Sequence, residues 1–476
     1  MVDMGIPHGV MAGIVTGSYI ALGAIGLGLV YNISKVPNFA HGELLMLGAY
    51  FALIVNLPWT VPIFERMASE PDVVNISLVV LLFLVTVGCT LFIVYLLGGW
   101  AALRGRWWPI GVPPNVALGV HILAASLLGI VVALSTPGLL GGVILATVVM
   151  AALTPLLDKL VFERFRQQGA TIATMLIVTM GLAFFLRFTA QAYYSGSTRQ
   201  YDFDGTITIF GSAINFTQFK EFDFFVTDSG LIFHVFDTGV REPILIVSYT
   251  WVTLGLLIIG VLALGIGAYR LRGRGIGQDE AAQTIGPRLV GASVGIIALL
   301  VLGYVLGNDG SIPAEYVTGT QVRTSYLRIG IVLLAAVLMF ALHLLLRETK
   351  LGKAMRASSD NLDLAEVTGI DTNRVMMSTW IIAGAFAAIA GVTVGMLFHS
   401  VRPTMGFFLL LPLFAAVILG GLRSIYGAIL GSYVVGIAME VSMTTFDISG
   451  VHRVTIAFAV LILVLLIKPE GLIGGQ

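Results

Sequence analysis

The chain has 476 residues, of which 57% are hydrophobic and only 11% charged, and its 26 basic and 26 acidic side chains cancel. A soluble domain carries about 25% charged residues, so a water-soluble fold of this size is excluded. With a mean hydropathy of +0.97, the composition indicates an all-α polytopic protein of the lipid bilayer. Zero net charge offers no basic field for nucleic acid. The single cysteine, Cys89, allows neither an internal disulfide nor a Cys-based metal site.

At the N terminus, MVDMGIPHGV has no basic stretch before the apolar run 10–31, and no small-residue cleavage motif follows, so no cleavable leader is expected. Runs long enough to span, or short enough to be half-helices, fall at 9–31, 42–57, 76–100, 117–136, 138–157, 171–190, 246–269, 288–306, 328–346, 375–398, 407–421, 425–442 and 453–468. This predicts about 11–13 transmembrane helices, with short or broken ones near the centre. The runs 42–57, 407–421 and 425–442 are short and Gly-rich.

Placing 347–374 in the cytoplasm and alternating outward puts Lys35, Arg104, Arg106, Lys159, Arg164, Arg166, Arg270, Arg272, Arg274, Arg288, Arg347, Lys350, Lys353, Arg356, Arg374, Arg423 and Lys468 on one side. The positive-inside rule then sets the N terminus outside and the C terminus in the cytoplasm of a plasma membrane. The long outer segment 191–245 is acidic, and YDFDGTITIFGSAINF within it alternates around Gly205 and Gly211. It reads either as a small extracellular β-hairpin or as an ordered loop.

The chain has no G-x-x-x-x-G-K-[ST] phosphate-binding loop, nucleophile–base pair or metal-ligand cluster. No catalytic residue, cofactor or metal is therefore expected. Charges within the spans are scarce: Arg187 and Glu440 lie near span ends, and His121 and His343 stand alone in apolar runs. An ion-coupled transporter usually needs intramembrane carboxylates or unwound cation sites.

Three segments carry more information. In Val36-Pro37-Asn38-Phe39-Ala40-His41-Gly42-Glu43, Pro37 interrupts helix and Asn38 can cap the next one. His41 and Glu43 then sit at a helix start, where the dipole favours the carboxylate. This is either a broken helix beside a translocation path or an interfacial turn. In 349–371 a helix continues out of the membrane, followed by a short amphipathic helix (Leu362, Leu364, Ala365, Val367) that ends at Gly369. It is either a docking element for a cytoplasmic partner or a solvated loop. In the third, Met405-Gly406-Phe407 opens an apolar run to Gly420-Gly421, where a tight turn joins two short helices. Val36-Pro37 before His41-Gly42 echoes Val401-Arg402-Pro403 before Met405-Gly406, on opposite sides of the membrane. The echo is either an inverted repeat or chance.

Several motifs in fixed order resemble the permeases of the branched-chain amino acid ABC uptake system: Asn38–Glu43 (N-F-A-H-G-E), Leu160–Arg164 as an inner-loop segment, and Ile172–Leu176 with Gly181-Leu182. Further on come Thr349–Ala357, Gly369-Ile370-Asp371, Val417–Leu422 with Gly427-Ala428, and Lys468–Leu472. The resemblance covers roughly 1–57, 138–215 and 325–476. It divides the chain into an N-terminal transmembrane half (1–190, with an insertion at 58–137), an extracellular segment (191–245), a second insertion with two extra spans (246–325) and a C-terminal half (326–476). It implies a non-enzymatic permease subunit of a dimeric membrane core, formed with a second copy or a related permease. Two cytoplasmic ABC ATPase subunits and an extracytoplasmic substrate-binding protein would complete the importer. Asn38, His41, Glu43, Gly420 and Gly421 would lie near the translocation path. Gly352, Lys353, Arg356, Ala365, Glu366, Gly369 and Asp371 would belong to the ATPase-coupling segment 349–371. Related permeases carry urea, amides, sugars or nucleosides, and a stand-alone channel or secondary transporter is the reading from a different class.

Overall fold

The computed structural model describes residues 5–62, 76–103, 114–136, 138–201, 206–209, 212–215, 220–227, 230–237, 243–274, 287–309, 320–422, 424–467 and 471–472. Arg104, Arg106, Arg423 and Lys468–Glu470 lie outside these residues, as do Gly205 and Gly211. The architecture is that of a polytopic α-helical membrane protein. Among the described residues, nine helices are long and apolar enough to cross a membrane. The chain divides into two compact units, one of 12–217 with 327–476 and the other of 1–11 with 218–326.

In the larger unit, α1 (Gly5–Ser34) leads to the short α2 (His41–Asn56), and then to α3 (Ile76–Leu103) and α4 (Pro114–Leu134). Next come α5 (Leu139–Leu157), a π-helical turn at Asp158–Phe162, α6 (Glu163–Gln167) and α7 (Ile172–Tyr194). Leu160–Arg164 is therefore a helical extension of α5 and not a loop. Pro155 removes one backbone donor inside α5, and the wider π-turn follows directly. The extension is held by a two-pronged pair in which Arg166 donates to both carboxylate oxygens of buried Asp158, at 2.7 and 2.9 Å.

Of the two readings of 201–216, hairpin or ordered loop, the hairpin is present: β2 (Thr206–Ile209) pairs antiparallel with β3 (Ser212–Asn215). Ahead of it, β1 (Arg199–Gln200) pairs with β9 (Ser400–Val401). The C-terminal part runs through α10 (Tyr326–Glu348), α11 (Lys350–Asp360), α12 (Leu362–Val367) and α13 (Thr372–Phe398) to α14 (Met405–Gly420), α15 (Ile425–Phe446) and α16 (Arg453–Ile467). The helix expected to continue past 348 in fact stops there. Thr349 adopts an extended conformation and its hydroxyl accepts from the Gly352 amide at 3.0 Å, starting α11 as a separate helix.

The core of this unit is α2 packed against α5, α13 and α14. Small residues permit the close approach: a Cβ on Gly48 would come 3.1 Å from the Ala388 Cβ, and one on Gly142 would come 2.7 Å from the Ala52 carbonyl oxygen. In a bilayer, where lipid is as apolar as leucine, such contact and interhelical hydrogen bonds hold helices together. Thr154 of α5 supplies one of these bonds, donating to the Trp380 carbonyl of α13 at 2.7 Å.

The smaller unit contains a five-stranded sheet in the order β7-β6-β5-β4-β8. Its strands are β4 (Lys220–Thr227), β5 (Gly230–Asp237), β6 (Pro243–Thr250), β7 (Asn308–Asp309) and β8 (Thr320–Ser325), all antiparallel neighbours. Two helices, α8 (Trp251–Arg274) and α9 (Pro287–Leu306), pack on each other. The run read as a span from 246 is corrected here: its first residues belong to β6 and the helix begins at Trp251. Phe222 and Phe224 of β4 both meet Phe233 of β5, with ring centroids 5.5 and 4.9 Å apart.

Candidate functional site

The long helix α1 ends at Ser34, and Lys35 takes a left-handed conformation (φ 57°). Non-helical chain follows, and Asn38 Oδ1 accepts from the Ala40 amide at 3.0 Å just before α2 begins at His41. The same device recurs near the other end of the chain. The long helix α13 ends at Phe398, His399 is left-handed (φ 49°), and α14 begins at Met405 after Pro403. The left-handed residue precedes the helix-opening glycine, Gly42 or Gly406, by the same number of residues in both places. Both short helices have 16 residues, about 24 Å at 1.5 Å per residue, less than the roughly 30 Å of a hydrocarbon core.

The two short helices meet at their N-terminal ends. A Cβ added to Gly406 would lie 2.6 Å from the Gly42 carbonyl oxygen and 2.7 Å from Glu43 Oε2, and one on Gly42 would overlap the Gly406 carbonyl. Only glycine allows this contact. Glu43, in the first turn of α2, is 1% exposed and pairs with Arg187 of α7, whose side chain is 14% exposed. Arg187 Nε donates to Glu43 Oε1 at 3.0 Å, and its Nη2 donates to the same oxygen. The guanidinium also lies over the Phe407 ring, 4.7 Å from its centroid. Oε2 faces the start of α14 without a hydrogen-bond partner.

His41 is fully buried and its Nε2 is 2.9 Å from the Gly23 carbonyl of α1. The structure thus brings Asn38, His41 and Glu43 together. It places Gly420 and Gly421 at the opposite end of α14, roughly 21 Å away along the helix. There Gly421 adopts φ 102°, Ser424 caps α15 by accepting from the Gly427 amide at 3.0 Å, and Leu472 donates to the Leu419 carbonyl at 2.7 Å. A Cβ on Gly420 would overlap the Gly427 carbonyl. Gly471 and Leu472 of the C-terminal motif are therefore packed on the Gly-Gly turn, a contact that sequence spacing does not disclose.

The 349–371 segment forms two short helices with a cap at each joint. Asn361 Oδ1 accepts from the Leu364 amide at 3.0 Å, and Asp371 Oδ1 accepts from the Arg374 amide at 3.0 Å, starting α13. Gly369 is left-handed (φ 87°) and its amide bonds the Glu366 carbonyl at 2.9 Å, so it ends α12. Gly352 and Ala365 are buried, whereas Lys353, Arg356, Glu366, Gly369 and Asp371 are exposed. Of the apolar residues expected to line one face of α12, Ala365 points inward, but Leu364 and Val367 are 60% and 86% exposed. Lys35 Nζ donates to the Ser359 carbonyl at 2.7 Å, tying α11 to the end of α1.

The charges left unexplained by sequence have partners. Glu440 Oε1 accepts from Thr16 Oγ1 at 2.8 Å and lies 3.3 Å from Arg453 Nη2. His343 Nδ1 is 2.9 Å from the Tyr426 hydroxyl. Among the described residues, no group of three or more His, Cys, Asp or Glu side chains could hold a metal ion.

Comparison with known proteins bears on this arrangement. Residues 229–465 match the family model described as branched-chain amino acid transport system / permease component. The chain is similar to members of that family over nearly half its length. It is 35% identical over 167 residues to the high-affinity branched-chain amino acid transport system permease protein BraD of Pseudomonas aeruginosa, covering 34% of this chain and 54% of the relative. Identity to the corresponding protein LivH of Escherichia coli is 39% over 136 residues, covering 29% of this chain and 44% of the relative. The probable branched-chain amino acid transport permease protein LivH of Methanocaldococcus jannaschii is 34% identical over 199 residues, covering 37% and 61%. The matches thus span about half the length of these curated relatives. The family match takes in the capped 349–371 segment and α14, and it also runs through 246–325, the stretch set aside above as an insertion.

Proposed function

We propose that this chain is the membrane-spanning permease subunit of an ATP-driven importer for branched-chain amino acids. It would perform no chemistry itself. Separate cytoplasmic ATPase subunits would supply the work, a second copy or related permease would complete the membrane core, and an external binding protein would deliver the solute. The match to the family model and the names of the relatives support the solute class.

The observation that carries the coupling reading is α12. It exposes Leu364 and Val367 beside Glu366, on a helix fixed by Asn361 at its start and Gly369 at its end. A six-residue helix with outward apolar side chains is costly in water and useful against a partner. Lys353 and Arg356 are exposed on the neighbouring helix α11. We take this face as cytoplasmic because Lys and Arg gather around it, which leaves the N terminus outside. ATP-driven closure of the partner subunits would push on α11 and α12. Asn38, His41 and Glu43, at the meeting point of α2 and α14, would shape the path between the halves, and the Gly420-Gly421 turn would close its other end. Nucleotide does this work through its unequal affinity for the two states.

Purifying the chain from its native membrane and identifying what accompanies it tests the proposal. A P-loop ATPase and a binding protein that takes leucine, isoleucine or valine are expected. Solute uptake by the pure chain in liposomes without any ATPase would overturn it. Charge reversal at Arg356 and Glu366 together should uncouple uptake or release the ATPase, whereas parental uptake in that variant would remove these residues from the coupling surface. An unchanged uptake profile in an Asn38→Leu, His41→Leu variant would remove the meeting point from the path.

A further inference from the structure

A cavity of about 590 Å³ opens between the ends of α1 and α10, the helix α11 and the start of α15. This is well within the range of small-molecule sites. Its lining joins three kinds of chemistry in one space. Arg347 and Arg356 supply positive charge, Asp360 supplies negative charge, and Ile33 and Met355 supply an apolar wall. Asn32 is the fourth element: it is 4% exposed, and its Oδ1 has no hydrogen-bond partner. A buried amide oxygen of this kind calls for a donor. Among the described residues, Arg356 and Asp360 take part in no ion pair, and Arg347 reaches only Glu348, at 3.8 Å.

We infer that this cavity binds a free α-amino acid with an aliphatic side chain. The guanidinium groups of Arg356 and Arg347 suit a carboxylate, which they can take in two-pronged fashion. Asp360 and Asn32 Oδ1 suit an ammonium group, and Ile33 and Met355 cover an aliphatic side chain. No simple anion or cation uses both charged sets. The choice of an aliphatic amino acid rests on the proposed function, but the demand for a zwitterion is read from the cavity alone. One wall is α11, the helix that carries Arg356. An occupied site therefore braces α11 against α1 and α10, and accumulated solute acts on the same segment that the ATPases would move.

The test uses the full chain in lipid nanodiscs with whatever partners accompany it, without ATP and without external binding protein. Binding of radiolabelled L-leucine is measured by scintillation proximity. Two competitors each keep one charge: 4-methylpentanoate the carboxylate and 3-methylbutylamine the ammonium. Saturable leucine binding is expected, with each competitor at least about tenfold weaker than unlabelled leucine. Asn32→Val and Asp360→Asn should each weaken leucine about tenfold. Asp360 is exposed, so its variant keeps the test open should Asn32→Val fail to fold. No saturable binding, equal competition by the single-charge analogues, or parental affinity in Asp360→Asn would overturn the inference. ATPases that co-purify with a chain binding no leucine would sink this site alone. Leucine binding that is lost in Asp360→Asn, on a chain that brings no ATPase, would sink the proposed function and leave the site standing.

Discussion

The Glu43–Arg187 pair makes a sharp prediction, because both charges are held inside the helix bundle by residues far apart in sequence. Nε and Oε1 are 3.0 Å apart, which at an effective dielectric of 20 corresponds to a Coulomb attraction of about 5 kcal/mol before desolvation is subtracted. Removing one partner leaves the other charge buried, at a cost of about 3–5 kcal/mol. Removing both, as in Glu43→Leu with Arg187→Met, eliminates the buried charges and fills similar volume, so the double variant should lie within about 2 kcal/mol of the parent. Some loss remains, because the guanidinium also rests on Phe407, a contact worth about 0.5–2 kcal/mol. The assay is reversible unfolding in mixed detergent micelles, followed by tryptophan fluorescence, for the parent, Glu43→Leu, Arg187→Met and the double variant. A coupling energy of at least about 2 kcal/mol is expected. Two single variants each within about 1 kcal/mol of the parent, or a double variant showing the plain sum of both losses, would refute a buried, mutually dependent pair.

Other contacts yield further predictions. Gly406→Ala should destabilise by about 1–3 kcal/mol, since its Cβ would sit 2.6 Å from the Gly42 carbonyl oxygen; unchanged unfolding in the same micelles would mean the helix ends do not touch. Gly421→Ala forces a side chain onto φ 102° and should cost about 1–2 kcal/mol, with parental unfolding counting against a left-handed turn. Leu364→Ser with Val367→Ser should leave unfolding within about 0.5 kcal/mol of the parent, both being surface positions, yet abolish ATPase co-purification. Retention of the ATPase would remove α12 from the docking face.

Most of the helical plan is legible in the sequence because the long helices are largely apolar runs, and in this composition little else produces runs of that length. The break before α2 is legible for a related reason, since Pro37 and Asn38 have few other uses beside an apolar helix. The five-stranded sheet is a different case. Glu221, Phe222, Asp223 and Phe224 alternate polar with apolar along β4, a signal of period two. β6, however, reads PILIVSYT and abuts the apolar start of α8, so a window sized for a membrane span absorbs the strand. The end of α10 is obscured in a similar way. Arg347 and Glu348 are ordinary helix formers, and only the backbone at Thr349 reveals that its hydroxyl starts a new helix. The pairing of Arg187 with Glu43 has no local signal at all, since the two are separated by 144 residues. An arginine in an apolar run needs a partner, but nothing nearby in the sequence says which.

The echo between the two ends of the chain is plainer in backbone conformation than in residue identity. Pro37 and Pro403 stand at different distances from the helices that precede them, so aligning the prolines leaves the likeness weak. Aligning the left-handed residues Lys35 and His399 instead brings Gly42 onto Gly406 and gives two short helices of 16 residues. At each place a long helix stops, the chain turns, and a half-length helix starts with a glycine as its second residue. Because those glycines touch, the positive ends of two helix dipoles converge on one point. A carboxylate is the side chain that such a point favours, and Glu43 is the carboxylate there. Arg187 then neutralises it from α7. A buried acid is tolerated at this place because two helix starts and one guanidinium all stabilise its charge. The same crowding leaves no room for the two helix ends to slide past one another, so relative motion of the two halves would have to pivot about this contact.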